Sequence, residues 1–433
     1  MIRDPAPITT TWSVNPNAAA TRARLSSKNP TKEFYRPEPR AFGGEDATVW
    51  AVPLSDLDLL ARLVGFDTTS HRSNLPLADF VADYADATGR DDVSVERVPS
   101  PVGDKANLVV RIGPGAEGDR AGLVLSGHMD VVPATEKEWT SDPFQVRDDG
   151  ERIYARGASD MKGFLAVALN VALEAKRLQQ PVVLVYTYDE EVGTVGARDL
   201  VELWPEVESL PKRAIIGEPT AMRVVRMHKG HLTARITLHG VSAHSGYPHL
   251  GKNAIEAAAR ILVSMRKLRH RFEAAGGPNV EHFPEVPFVP LNVGVIHGGS
   301  ATNVVPDRCV IELGARALPG MNEKGIFAAI QEAVANAAGP TPFEVEWTGN
   351  SPPMLLAADA PVHCELCALV GQTGDASVSF ATDAGWFARA GLDCVIFGPG
   401  SIEVAHKPNE YVPKADLVMA RHRLEEVVDQ WCR

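Results

Sequence analysis

Four short, uninterrupted apolar runs constrain this chain most: AGLVLSG (121–127), PVVLVYTY (181–188), AIIGE (214–218) and DCVIFG (393–398). A strand that shows one face to water alternates apolar and polar residues. These runs do not alternate, so each suits a strand buried on both faces of a mainly parallel sheet. Between the first two lies MKGFLAVALNVALEAKRL (161–178), a helix apolar almost all round near its start. Another helix is predicted from near Leu54, where LSDLDLLARLVGF carries apolar residues at helical spacing. The β-α-β alternation predicts a three-layer α/β unit.

From about Met227 the texture changes. HLTARITLHGVSAHS alternates like a half-exposed strand, a long basic helix follows at 254–275, and strands are predicted around LNVGVIHGG and CVIELGARAL. A helix near 325–337 and the strand PFEVEWTG complete a β-α-β-β-α-β order, that of a two-layer, ferredoxin-like α/β plait. The last buried strand and the final helix come after it. The plait over 227–346 is therefore expected as an insertion into a larger unit made of 51–226 and 347–433. Residues 1–50 are rich in Pro, Ser, Thr, Asn and Arg and lack periodic apolar pattern, so a disordered or extraneous extension is expected there. They lack the apolar core of a secretory signal, and their prolines interrupt the amphipathic helix of a transit peptide.

A length of 433 residues suits two domains. No run of 18 apolar residues occurs, so no membrane helix is expected. The formal charge of −12 argues against nucleic acid, which needs a concentrated basic surface. Cys309, Cys364, Cys367, Cys394 and Cys432 are too few and too scattered for a secreted disulfide framework, and the chain reads as cytosolic. The lone CxxC of Cys364 and Cys367 is expected to be two buried small residues on one helix face.

Acids and histidines follow the buried runs. The first leads into His128-Met129-Asp130, the second into Asp189-Glu190-Glu191, the third into Glu218, and the fourth into a loop with His406. Ligands of open α/β sheets bind beyond the carboxyl ends of the strands, so these side chains are expected on one rim, with Asp160 at the start of a helix. Singly, each has an ordinary reading: a structural histidine, or an Asp that caps a helix. Together, carboxylates on a half-buried rim repel one another unless a cation neutralises them. Two His and three carboxylates form a nitrogen and oxygen set that Zn²⁺ accepts. Five ligands exceed one tetrahedral site, which points to two metals sharing a carboxylate.

The order SGHMDVVP, ARGASDMKGF, TYDEEVGTVGAR, GEPT and AHKPNEY resembles the co-catalytic zinc family of aminoacylases, carboxypeptidase G-type enzymes and desuccinylases, over nearly all of 52–433. KGHLTARITLHGVSAHS, HGGSATN, LPGMN and GPGSIEVAHKPNEY look most like its amino-acid deacetylases. The resemblance implies a zinc-peptidase-like catalytic domain with an inserted lid and dimerisation domain, a homodimer, and hydrolysis of a small N-acyl amino acid. It implies two Zn²⁺ per chain, with Co²⁺ or Mn²⁺ fitting the same ligands. His128 and Glu218 would hold one metal, Glu191 and His406 the other, and Asp160 would bridge. Asp130 would orient His128, and Glu190 would be the general base. His244, reaching in from one subunit or its partner, would stabilise the oxyanion. Asn303 and Arg316 would bind substrate, although Gly314-Ala315 stands where the family often has an acid before this Arg. Acetylcitrulline deacetylases, desuccinylases and dipeptidases share the ligands; a succinyl group needs further basic residues, and none clusters beyond Arg316. A relative that binds an amino-acid derivative without cutting it would lack a ligand or the base, and all are present here.

Overall fold

The computed structural model describes residues 54–115, 120–374 and 376–433. The expected extension over 1–50 lies outside the described residues. In chain order the strands are β1 (Val93–Pro99), β2 (Ala106–Ile112), β3 (Leu123–His128), β4 (Arg147–Asp148), β5 (Arg152–Tyr154) and β6 (Val182–Thr187). They continue as β7 (Arg213–Ile216), β8 (Val225–His228), β9 (His231–His239), β10 (Ala243–His244), β11 (Leu291–Gly298) and β12 (Val304–Val305). The last six are β13 (Arg308–Ala315), β14 (Phe343–Ser351), β15 (Met354–Leu355), β16 (Ala376–Val378), β17 (Asp393–Ile396) and β18 (Tyr411–Pro413).

The large sheet runs β1-β2-β6-β3-β7-β17-β8-β15, with β16 beside β8. Its middle strands β6, β3, β7 and β17 are parallel, so their carboxyl ends share one rim. Every residue of β3 and β6 is buried, as their uninterrupted apolar sequences require. The helix Gly163–Glu174 is buried along all but its last residue, which is why its sequence shows no polar stripe. It lies close to the sheet because Gly127 and Gly217 have no side chain. A Cβ on Gly217 would come within 2.0 Å of the Phe164 ring, and one on Gly127 within 2.4 Å of Met161.

The inserted sheet is antiparallel, β11-β13-β9-β14, and is backed by the helices Ala254–Ala275 and Glu323–Ala338. It has its own apolar core, built on Ile236, Leu238, Ile261, Ile311 and Val334. This is the β-α-β-β-α-β plait; β14 runs on to Ser351, beyond the expected end at 346. Both helices begin with Asn side chains that accept backbone N–H bonds, Asn253 from Ile255 and Glu256 and Asn322 from Lys324. The fold is thus a three-layer α/β unit carrying an inserted two-layer one.

One expectation fails here. Cys367 is buried on the helix Pro361–Val370, but Cys364 is exposed, because the helix shows the sheet only the face bearing Val362, His363, Leu366 and Cys367. His363 on the same face is buried, its ring between the carbonyls of Ala358 and Gly374.

Gly217→Ala is expected to lower stability by about 1–3 kcal/mol, because the Phe164 ring must shift in a packed layer. A lower denaturant midpoint with an unchanged slope would register it; an unchanged midpoint would show that the layer yields freely.

Candidate active site

The rim of the parallel strands gathers what the sequence assigned to it. His128 ends β3, Glu191 follows β6, Glu218 follows β7, and His406 stands in the loop after β17 with left-handed backbone, φ 61°. Asp160 is not a helix cap. It lies in an irregular turn, Ala158–Lys162, with extended φ −124° and ψ 90°, and its carboxylate points into the rim. One oxygen sits 3.0 Å from His128 Nε2 and the other 3.3 Å from His406 Nε2. His406 Nε2 is also 3.0 Å from Glu191 Oε1. Donor atoms of His128, Asp160 and Glu218 lie within 4.8 Å of one another, and so do those of Asp160, Glu191 and His406. Two ligand triads therefore share one carboxylate.

The electrostatics show what the set needs. Burial pushes the Glu218 and Glu190 carboxyls well above the usual range, and Asp160 raises Glu218 further while Glu218 raises Glu190. Burial and Asp160 likewise raise Glu191. His128 is buried, which disfavours its charge, yet its bond to Asp160 and the charges of Glu218 and Glu190 hold its pKa well above normal. His406 is pushed up to about 10 by Asp160 and then Glu191. Protonated histidines thus stand in for positive charge that the acids demand. Nitrogen and carboxylate donors without sulfur suit a borderline divalent cation, and the set fits that group.

Asp130 faces His128 with both its backbone carbonyl and its carboxylate. His128 Nδ1 meets the Asp130 backbone carbonyl at 2.9 Å, while the Asp130 carboxylate is 3.6 Å away. That carboxylate also accepts from Ser70 Oγ at 2.7 Å and from the backbone N–H groups of Glu190 (3.0 Å) and Glu191 (3.3 Å). It fastens the peptide that carries both acids. The preceding Asp189, left-handed at φ 54°, is paired with Lys105 Nζ at 2.5 Å.

His244 and Asn303 come together, but on a separate two-stranded ribbon. β10 pairs with β12, and Ser245 N donates to the Asn303 carbonyl at 2.9 Å. The Gly246 N–H donates to His244 Nδ1 at 3.0 Å, which leaves Nε2 as the protonated, donating nitrogen of the neutral ring. His244 is exposed, and among the described residues no hydrogen bond or ion pair joins it or Asn303 to the triads. Arg316, just past β13, is half-buried, and among the described residues no side chain hydrogen-bonds its guanidinium. Its charge, after burial, holds His231 down to about 4 and Lys229 to about 8. Lys229 Nζ bonds the carbonyls of Val286 and Phe288.

The sequence matches the profile of "Peptidase family M20/M25/M40" over residues 124–430. The chain belongs to that family. A Myxococcus xanthus protein named acetylornithine deacetylase is 36% identical over 384 residues, 86% of this chain and 96% of the relative. A Pectobacterium atrosepticum protein of the same name is 32% identical, covering 84% and 93%. Among solved structures, an M20 family metallo-carboxypeptidase from Sulfolobus solfataricus superposes with a TM-score of 0.68 at 20% identity, covering 87% of this chain and 99% of that one. A Staphylococcus aureus tripeptidase gives 0.65 at 21%, covering 87% and 97%. Like the family, this chain is a metal-dependent amidohydrolase.

In this M20 chain the sequence reading missed Asp383. It precedes the helix Ala384–Arg389 and looks like a cap, yet its carboxylate makes no capping bond. One oxygen accepts from Thr187 Oγ1 at 2.5 Å; the other is buried and has no hydrogen-bond partner among the described residues. Thr187 is the β6 residue in register with His128, so Asp383 stands one strand from a ligand. No local pattern signals this, because the partner is 196 residues away.

Burial raises the Asp383 pKa from 3.8 to about 6. The folded metal-free protein then binds more protons than the unfolded chain between about pH 4 and 6, and stability falls as pH rises through that window. In metal-free protein, Asp383→Asn should raise stability at pH 7.5 by on the order of 2–3 kcal/mol, with the gain gone below about pH 4. Denaturant titrations across pH test this, and a gain independent of pH would refute it.

Proposed function

We propose that this chain hydrolyses N2-acetyl-L-ornithine to L-ornithine and acetate, and so supplies ornithine for arginine biosynthesis in the cytoplasm. The single observation that carries the hydrolytic reading is Asp160, held between His128 and His406 and common to both ligand triads. The substrate is supported by the relatives named acetylornithine deacetylase, 32–36% identical along most of the chain.

His128 and Glu218 would hold one Zn²⁺, Glu191 and His406 the other, and Asp160 both. Bound there, such cations polarise an amide carbonyl and acidify an attacking water. Glu190 takes the water proton and delivers it to the departing amine nitrogen. Burial and then Glu218 raise its pKa well above the usual carboxylate range, which favours proton uptake by this carboxylate. Asp130 keeps Glu190 aimed by holding its peptide N–H. The planar fork of Arg316, free of protein partners among the described residues, pairs with the α-carboxylate, and Asn303 assists in binding. His244 Nε2–H donates to the tetrahedral oxygen, a contribution of roughly 3–4 kcal/mol for one such donor.

His244 is exposed, which favours its delivery across a homodimer of the inserted units. The edge strand β11 exposes Val295 and Ile296, an apolar margin suited to pairing with a second copy. The catalytic domain is then 51–226 with the chain after β14, and the plait from 227 is the lid.

Glu190→Gln should lower kcat by about 10²–10⁴-fold while elemental analysis still finds near two metals per chain. Near-normal turnover in that variant would remove Glu190 as the base. In a panel of N-acetyl-ornithine, N-acetyl-citrulline, N-acetyl-methionine and N-succinyl-diaminopimelate, the first is expected to have the highest kcat/KM. Faster turnover of the succinyl compound would overturn the substrate assignment.

A further inference from the structure

Glu410 lies four residues beyond His406 and is only 1 % exposed, yet it belongs to neither triad. One of its oxygens accepts from the backbone N–H of Ser159 at 2.9 Å and of Asp160 at 3.0 Å. The other pairs with Arg156 Nη1 at 2.8 Å, and Arg156 is equally buried. The Asp160 N–H is available because the residue is not helical. Further bonds lace the same two segments. Ala155 N donates to the Glu410 carbonyl at 3.1 Å, and Ser401 N donates to Ser159 Oγ at 3.0 Å. Gly400, left-handed at φ 82°, lets the loop approach, since a Cβ there would lie 2.2 Å from Ser159 Oγ.

A buried ion pair is a poor way merely to join two loops. Desolvation offsets most of its attraction, and an apolar pair of similar volume often holds as well. What an apolar pair cannot do is accept two peptide N–H bonds at once. The Asp160 carboxylate has to be aimed at two histidines from different segments, and a free turn would let it settle on one.

We propose that Glu410 is a positioning residue for the metal pair: anchored by Arg156, it grips the Asp160 peptide, holds that carboxylate between His128 and His406, and touches no metal itself. This rests on the two-metal reading above. Groups that orient ligands from behind commonly change metal affinity by roughly 10–100-fold.

The test uses the full chain stripped of metal and titrated with zinc alone against a competing chelator. The double variant Glu410→Leu with Arg156→Met keeps the volume and removes the acceptor. It is expected to bind at least one of two zinc equivalents roughly 10–100-fold more weakly, while its metal-free unfolding midpoint stays near that of the parent. Glu410→Gln with Arg156→Met returns an acceptor to the two N–H groups and should recover most of the affinity. If the apolar pair does not fold, Glu410→Asp keeps the charge and shortens the reach, and the same loss of affinity is expected. Parental affinity for both equivalents in the apolar pair or in Glu410→Asp would overturn the proposal. The readout is zinc bound, so that result would leave the deacylation reading standing, and failure to turn over acetylornithine would leave this one standing.

Discussion

The Asp160 carboxylate, shared between His128 and His406, is the contact on which the rest of the molecule depends. It joins a residue at the end of β3 to one in the loop after β17, segments 278 residues apart in numbering from His128 to His406. Bringing them together requires the parallel order β6-β3-β7-β17, and that order requires strands buried on both faces. The close packing of Phe164 over Gly217 and of Met161 over Gly127 follows, because the Asp160 turn leads directly into the helix that covers the sheet.

Charge is the price of this arrangement. Asp130, Asp160, Glu218, Asp383 and Glu410 are all under 5 % exposed, and carboxylates at such density raise one another's proton affinity. The fold meets the cost in two ways. Some acids accept backbone N–H bonds, as Asp130 does from Glu190 and Glu191 and Glu410 from Ser159 and Asp160. Others, above all Glu218 and Asp160, face the rim, where only a cation or a protonated histidine can balance them. The division separates carboxylates that hold the chain from those that would hold metal.

Much of this was legible in the chain. The strands, the helix Ala254–Ala275 and the plait order follow from apolar period, and the acids and histidines follow from their places after buried runs. Of the two readings open to Asp160, helix cap or rim carboxylate, the geometry matches the second, because its backbone is extended in the turn that precedes the helix. The Asp130 carboxylate lies 3.6 Å from His128 Nδ1 and also holds the Glu190 and Glu191 peptides, a second set of contacts that spacing does not specify. Asp383 and Glu410 were missed, since each acts on a partner far along the chain, Thr187 and Asp160. Cys364 was misplaced because i and i+3 share a helix face only when the core lies midway between them.

The amino-acid order by itself determined which strands would be buried, the order of elements in the plait and which side chains follow the strands, since these rest on local period and adjacency. The tertiary structure alone decided which oxygen each histidine meets, which carboxylates serve the backbone, and the pairing that brings His244 and Asn303 onto one ribbon. Those outcomes depend on contacts between distant segments, and a hydrogen bond is selected by a few tenths of an ångström that no sequence spacing specifies.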